Sequence, residues 1–306
     1  MKVGNTTYEG LKARAYCQKT GENYIENDAG VLKFSIDDYL TSYADNSYEI
    51  QSIKDMNLMN DLINEVGLSL EGMTFKVTAK ELDFEKKPFM VGRYCSYDNI
   101  THKEIYKPFI GTFDGNGVII KNLVINDSIG TYLWDGVGLF AYNKGIIKNV
   151  VVDKSCMIVA TSCDAIGSIA AVNSGAVTGC DNNAVVSCLY YRSDGVGVGA
   201  SHAGGIVGIN NEFVSDCENK GKVSGLDYVG GIVGRNDGNI EDCNNQNEIT
   251  VGDTDNKGGG IAGFNSGKVS MCVNKGNITG VRSPYLYYVD KTLVSNKNGQ
   301  VKKLIK

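Results

Sequence analysis

The sequence predicts an all-β solenoid of about six recognisable coils, its parallel strands closed at the N-terminal end by a helix. Three observations carry this expectation. First, an Asn is followed four residues later by Val or Ile and seven residues later by Cys, Val or Leu, and this spacing occurs six times. The copies start at Asn116, Asn143, Asn173, Asn210, Asn236 and Asn265, which lie 27, 30, 37, 26 and 29 residues apart. A fixed unit joined by connectors of varying length is the mark of a solenoid. Second, one unit, Gly230 to Thr250, holds three short β-branched or alternating stretches separated by Gly, Asn and Asp. Third, no tight two-residue turn folds a stretch back on its neighbour, so each strand must pair with its equivalent in the next coil, which makes the strands parallel.

The bulk numbers agree with one elongated body. Hydrophobic residues make up 42% of the 306 residues, enough for a continuous core, and the 38 Gly sit at fixed repeat positions with only 3 Pro. The net charge of -5 lacks the basic footprint that nucleic-acid binding requires. No apolar stretch has the length of a membrane span or of a signal-peptide core, so the reading expects a soluble chain or one whose export signal has been removed.

Taken in order, residues 1–51 do not follow the repeat and read as an attachment or oligomerisation segment, with two short strands around Val31 to Ile36. Residues 52–108 form the cap and first strands. In Ser52 to Val66, the residues Ile53, Met56, Met59, Leu62, Ile63 and Val66 fall at helical spacing, with Ser52 as N-cap and Gly67 after the last turn. Gly72 to Phe84 alternates and reads as the first strand pair. Residues 109–283 carry the coils. Pro284 breaks the last one, and residues 284–306 read as an aromatic C-terminal cap followed by a lysine-rich tail.

Comparing the copies assigns the inside of the coil. Four residues before each Asn stand Thr112, Leu139, Ile169, Ile206, Ile232 and Ile261, and two before it stand Asp114, Ala141, Ala171, Gly208, Gly234 and Gly263. Both positions read as interior. The position just before it holds Gly115, Tyr142, Val172, Ile209, Arg235 and Phe264, a mixture that suits an outward face. Cys180, Cys217, Cys243 and Cys272 share the closing position and read as a ladder of buried thiols; a metal-binding ladder is the sharper alternative. A second Asn follows two residues later (Asn182, Asn219, Asn245, Asn274), suited to an amide ladder and to a left-handed corner.

GGIVG at Gly204 and Gly230, GGIAG at Gly259, GLFAYNKGIIKNV at Gly138 and PFIGTFDGNGVIIKNLVI at Pro108 resemble the GLUG repeat of bacterial surface proteins. That group includes adhesins and the non-catalytic part of some IgA-cleaving metallopeptidases. The resemblance spans roughly Ile53 to Gly280. It implies a right-handed parallel β-helix in a secreted or surface-exposed protein. It does not carry the peptidase chemistry, which needs a zinc-binding HExxH; the chain has only His102 and His202, in THKEI and SHAGG.

Functional expectation therefore moves to the connectors, which carry Tyr132, Trp134, Tyr190, Tyr191, Arg192, Asp194, Asp227 and Tyr228. Aromatics beside carboxylates and Arg suit a sugar or a protein partner. The leading reading is a non-enzymatic binding or structural solenoid, adhesin-like or on the exterior of a phage particle. Its partner would be a glycan or protein on a cell surface, with a larger assembly reached through the N-terminal segment. It calls for no cofactor, no metal, no nucleic acid and no membrane span, and it allows a homo-oligomer. The alternative is a polysaccharide lyase or glycoside hydrolase, for which Asp194 with Asp227, or Asp253 with Asp255, would supply paired carboxylates.

Overall fold

The computed structural model describes residues 40–64, 70–92, 107–125, 136–160, 163–188, 202–252 and 257–279, together with strand positions 2–3, 6–7, 24–27, 30–33, 94–98 and 103–106. Its architecture is a parallel β-helix. Successive coils contribute one strand each to a five-stranded sheet (Phe140–Asn143, Ala170–Asn173, Val207–Asn210, Val233–Asn236, Ala262–Asn265). A six-stranded sheet is built from Val124–Ile125, Met157–Ala160, Val185–Cys188, Val223–Gly225, Ile249–Val251 and Ile278–Thr279. A four-stranded sheet holds Ala165–Gly167, His202–Gly204, Tyr228–Gly230 and Lys257–Gly259. A fourteen-stranded sheet forms the remaining wall.

At the N-terminal end, Ser47–Ile50 pairs in parallel with Thr74–Val77, which pairs with Thr112–Lys121, so the sheet begins before the helix does. The helix is Ile53–Asn64. Its start is held by Asp55, whose Oδ2 accepts from the Gln51 backbone N–H at 2.9 Å and from the Ser52 hydroxyl at 3.0 Å. Met56, Met59, Leu62 and Ile63 are buried and share one core with Ile50, Phe75 and Val77. That core is aromatic near the helix, where Phe109 and Phe140 lie 5.2 Å apart between ring centres. Later coils fill it with Ile, Val, Ala and Cys.

From Asn143 onward the repeat is exact in space. Asn143, Asn173, Asn210, Asn236 and Asn265 are register partners, as are Ile147, Val177, Val214, Ile240 and Val269. The first copy departs from this. Thr112 pairs with Ile146 rather than with Leu139, Phe109 takes the place opposite Asn143, and Val118 pairs with Val150, with a register shift between Asp114 and Val118. Asn116 is therefore outside the column, and its amide donates to Val77 O instead. Thr112 and Asp114 are accordingly half-buried, whereas their later counterparts are interior.

Two amide ladders run up the inside. Each Asn of the first column donates from Nδ2 to Oδ1 of the next at 2.6 to 2.8 Å, from Asn143 through to Asn265. The second column, Asn182, Asn219, Asn245 and Asn274, does the same at 2.8 Å. The four ladder cysteines are buried thiols, and burial pushes Cys217 upward, which keeps it neutral. The sharp corner is not made by the second Asn. It falls on the residue before the closing position: Gly117, Asn149, Gly179, Asp216, Asp242 and Met271 all have φ between 51° and 80°. From Gly179 onward this left-handed residue separates two strands of the wall, whereas Thr112–Lys121 and Ile146–Val152 run on through Gly117 and Asn149, and the first coil has further left-handed residues at Asn116 and Asn122.

The glycine pair of the GGIVG segment has a steric cause. A Cβ on Gly231 would sit 2.4 Å from Asn245 Cγ and 2.2 Å from Gly260 O, and Gly205 and Gly260 face Asn219 and Asn274 in the same way. The amide ladder fits only because this wall has no side chain. We expect Gly231→Ala to lower stability in urea denaturation by about 2 kcal/mol or more. Gly72→Ala, with open space but a φ of 74°, should cost only about 1 to 2 kcal/mol. Equal costs for the two variants would contradict the steric account.

Candidate functional site

Each of the four later connectors leaves the six-stranded sheet and enters the four-stranded one. Chain exits at Ala160, Cys188, Gly225 and Val251 are followed by entries at Ala165, His202, Tyr228 and Lys257. The ends of these connectors therefore lie at one corner. Tyr132, Trp134, Tyr190, Tyr191, Arg192 and Asp194 lie outside the described residues, as do Asp253 and Asp255. Asp227 and Tyr228 are described, and they stand together at the root of a connector.

The parallel register places His202, Tyr228 and Lys257 in one outward column. Tyr228 stacks on His202 with ring centres 5.3 Å apart and an interplanar angle of 19°. From the coil beyond, the Lys257 ammonium lies 5.1 Å from the Tyr228 ring centre. The ring of the tyrosine is thus flanked by His202 and Lys257. Beside this column runs a second, Ile209, Arg235 and Phe264. Phe264 meets Tyr228 edge-on at 5.4 Å, and Arg235 lies 5.7 Å from the Phe264 ring centre while its Nε donates to Asp237 at 2.8 Å. Such cation and ring contacts contribute about 0.5 to 1 kcal/mol each at exposed sites.

The backbone ties these roots together. His202 N–H donates to Asp164 O at 3.1 Å, and its Nδ1 lies 3.0 Å from the same oxygen. Lys257 N–H donates to Asp227 O at 2.8 Å. Burial holds the Asp227 carboxyl above the usual carboxylate range, opposed by the His202 and Lys257 charges. Burial holds the His202 imidazole below its ordinary value; the backbone bond to Asp164 and the Asp164 and Asp227 charges oppose that shift, while the Arg235 charge adds to it. Chemically the corner offers a hydroxyl, two cations, a carboxylate and ring edges. Of the paired carboxylates considered for hydrolysis, only Asp227 is described. Among the described residues, no three His, Cys, Asp or Glu side chains form a group that could hold a metal ion.

Sequence reasoning missed His202 and Lys257 as neighbours of Tyr228. The available signal was their common place, three residues before the second Gly of each glycine pair at Gly205, Gly231 and Gly260.

A fold and surface of this kind define a repeat-built β-solenoid whose later connectors begin and end at one corner. Residues 225–251 match the model of the GLUG motif, and the same coil geometry recurs before and after them. A crystal structure from Bacteroides ovatus, described as that of a "putative immunoglobulin A1 protease", is similar with a TM-score of 0.56 and 21% identity, covering 82% of this chain and 73% of that one. At that identity the likeness concerns the fold. No curated protein matches the chain. Among the described residues, no helix is long and apolar enough to cross a membrane.

The His202 shift has a signed consequence. Because its folded pKa lies below 6.5, the unfolded chain takes up the proton first as pH falls. Its contribution is complete above about pH 6.5 and is lost as pH drops towards the folded value. Asp227, raised by burial, acts in the opposite sense and at lower pH, where its contribution is lost as pH rises from the ordinary carboxylate value. We expect stability measured by urea unfolding to fall between about pH 7 and pH 5.5, and His202→Gln to flatten that slope. An unchanged slope in the variant would assign it to other groups.

Proposed function

We propose that this chain is a non-catalytic binding solenoid of a surface-exposed bacterial protein, with its partner, a glycan or a protein, held on the connector corner. The observation that supports this reading most is the division of labour around the coil. Repeated residues are consumed by the ladders and the core, while the four later connectors each start from the six-stranded sheet and end at the four-stranded one. Aromatic, cationic and acidic side chains flank that corner at His202, Tyr228, Arg235, Lys257 and Asp227. The connectors themselves add Tyr190, Tyr191, Arg192 and Asp194 in one segment and Tyr132 and Trp134 in another. A rod of this kind spaces its corner away from whatever anchors it, which suits adhesion.

The test is a glycan array followed by titration of the best ligand, alongside a reducing-end assay on the same sugars. Binding without turnover is expected. Replacing residues 189–201 by a short Gly/Ser link should weaken binding at least about tenfold, a loss of about 1.4 kcal/mol, with the urea midpoint of the remaining coils preserved. Release of reducing ends, abolished by Asp227→Ala or Asp194→Ala, would overturn the reading in favour of a polysaccharide-active enzyme.

A further inference from the structure

Seven of the cysteines are described; three of them, Cys156, Cys163 and Cys188, stand outside the ladder, and Cys163 and Cys188 face each other. Within the ladder, Cys180, Cys217, Cys243 and Cys272 each direct Sγ to the carbonyl oxygen two residues earlier, at 3.0 to 3.4 Å. Successive ladder thiols also meet one another, but they stand at equivalent positions of neighbouring parallel coils, which is poor geometry for bridging. Cys163 and Cys188 come instead from the two walls of the connector corner. Cys188 ends the strand Val185–Cys188, from which the connector 189–201 departs, and Cys163 stands two residues ahead of the strand Ala165–Gly167, where the previous connector arrives. Their sulfur atoms are 3.7 Å apart, and both side chains are buried, at 3% and 0% exposure.

We propose that Cys163 and Cys188 are an oxidation site, in which a disulfide bond ties the roots of two successive connectors and closes one complete coil into a ring. The oxidant is an exchangeable disulfide, either a small molecule or the active-site disulfide of an oxidoreductase. One cysteine thiolate attacks R–S–S–R, forming a mixed disulfide and releasing one thiolate. The second cysteine thiolate attacks the protein sulfur of that mixed disulfide, forming the Cys163–Cys188 bond and releasing the other. Two electrons pass to the oxidant, which leaves as two thiols carrying the two protons the cysteines lost. Because both side chains are buried in the closed coil, the reaction accompanies folding, when the sulfurs are still accessible to the oxidant.

Bond formation brings the sulfurs from 3.7 Å towards the bond length of about 2.05 Å. A cross-link across 25 positions removes conformational freedom mainly from the unfolded chain. It does so at the base of the connector 189–201, on which the binding reading places much of its recognition surface. A surface setting supplies oxidising conditions, but the chemistry stands apart from the identity of any ligand.

The full chain is refolded from denaturant in a mixture of reduced and oxidised glutathione, alkylated, and cleaved without reduction at its aspartates. Cleavage before Asp153, Asp164, Asp181 and Asp194 places Cys163, Cys180 and Cys188 on three separate fragments. The fragment 153–163 is expected linked to 181–193 and lighter by two hydrogens than the sum of the two. Cys156 shares the first fragment, so the same map on Cys156→Ser assigns the bond, which should persist. Recovery of both cysteines as alkylated thiols, or only as glutathione adducts, or a link from 164–180, would overturn the proposal. As a second measurement, the thermal midpoint of the oxidised chain should fall by several degrees on reduction. The double variant Cys163→Ala, Cys188→Ala should show no such shift, and a shift of the same size in that variant would also count against the bond.

Discussion

Everything in the rod depends on the hydrogen bond from one buried asparagine amide to the next. Asn173, Asn210, Asn219 and Asn236 are fully enclosed, and a buried amide left without partners costs about 1 to 3 kcal/mol. Each therefore meets its demand twice, with its equivalent one coil away and with its own turn two residues on, as when Asn219 donates to Gly221 O and accepts from Gly221 N–H. The first bond fixes the distance between coils; the second fixes the shape of each coil. Once both are imposed, the remaining constraints follow. The wall opposite the second ladder must lack side chains, which places Gly205, Gly231 and Gly260, and one residue per coil must turn through the left-handed region before the chain can present its next Asn.

Because the ladders require identical traces in successive coils, differences between coils can accumulate only where the chain is outside them. Most of the difference falls at the corner between the six-stranded and four-stranded sheets; two residues more are taken up at Asp153 to Cys156, since Val152 pairs with Asn182 but Met157 with Val185. Starts 26 residues apart and starts 37 residues apart produce coils that pair residue for residue on every described wall. The extra length of the longer unit is spent between Cys188 and His202.

This explains what could be read from the sequence. The parallel pairing, the interior Ile and Val positions, the buried thiols and the N-terminal helix were legible because ladder and core positions repeat their chemistry at fixed offsets. The first copy misled for the same reason. Its Asn116, Ile120 and Leu123 satisfy a short spacing rule by coincidence, while the real equivalents Phe109, Phe113 and Val118 are spread by an insertion and have aromatic rather than amide chemistry. The left-handed corner was invisible as a residue type, since Gly, Asn, Asp and Met all fill it. At the candidate site, Asp227 and Tyr228 could be picked out as connector residues. The partners of Tyr228 could not, because His202 and Lys257 lie 26 and 29 positions away and meet it only through the register.

That register also decides how the corner can recognise anything. In a parallel stack an outward ring has its faces directed at the same position in the coils on either side, so His202 and Lys257 flank the ring of Tyr228 as a direct result of the coil spacing. Sugar rings bind aromatic faces, whereas edges, hydroxyls and charges bind through directed polar contacts. Under the proposed binding reading, the repeat columns would contribute polar and ionic contacts through the Tyr228 hydroxyl, Arg235, Lys257 and Asp227. On the same reading, face stacking on a sugar would come from the connector aromatics Tyr132, Trp134, Tyr190 and Tyr191. Stability and recognition would then draw on different residues of the same coil, and a connector could change its aromatics without disturbing the amide column.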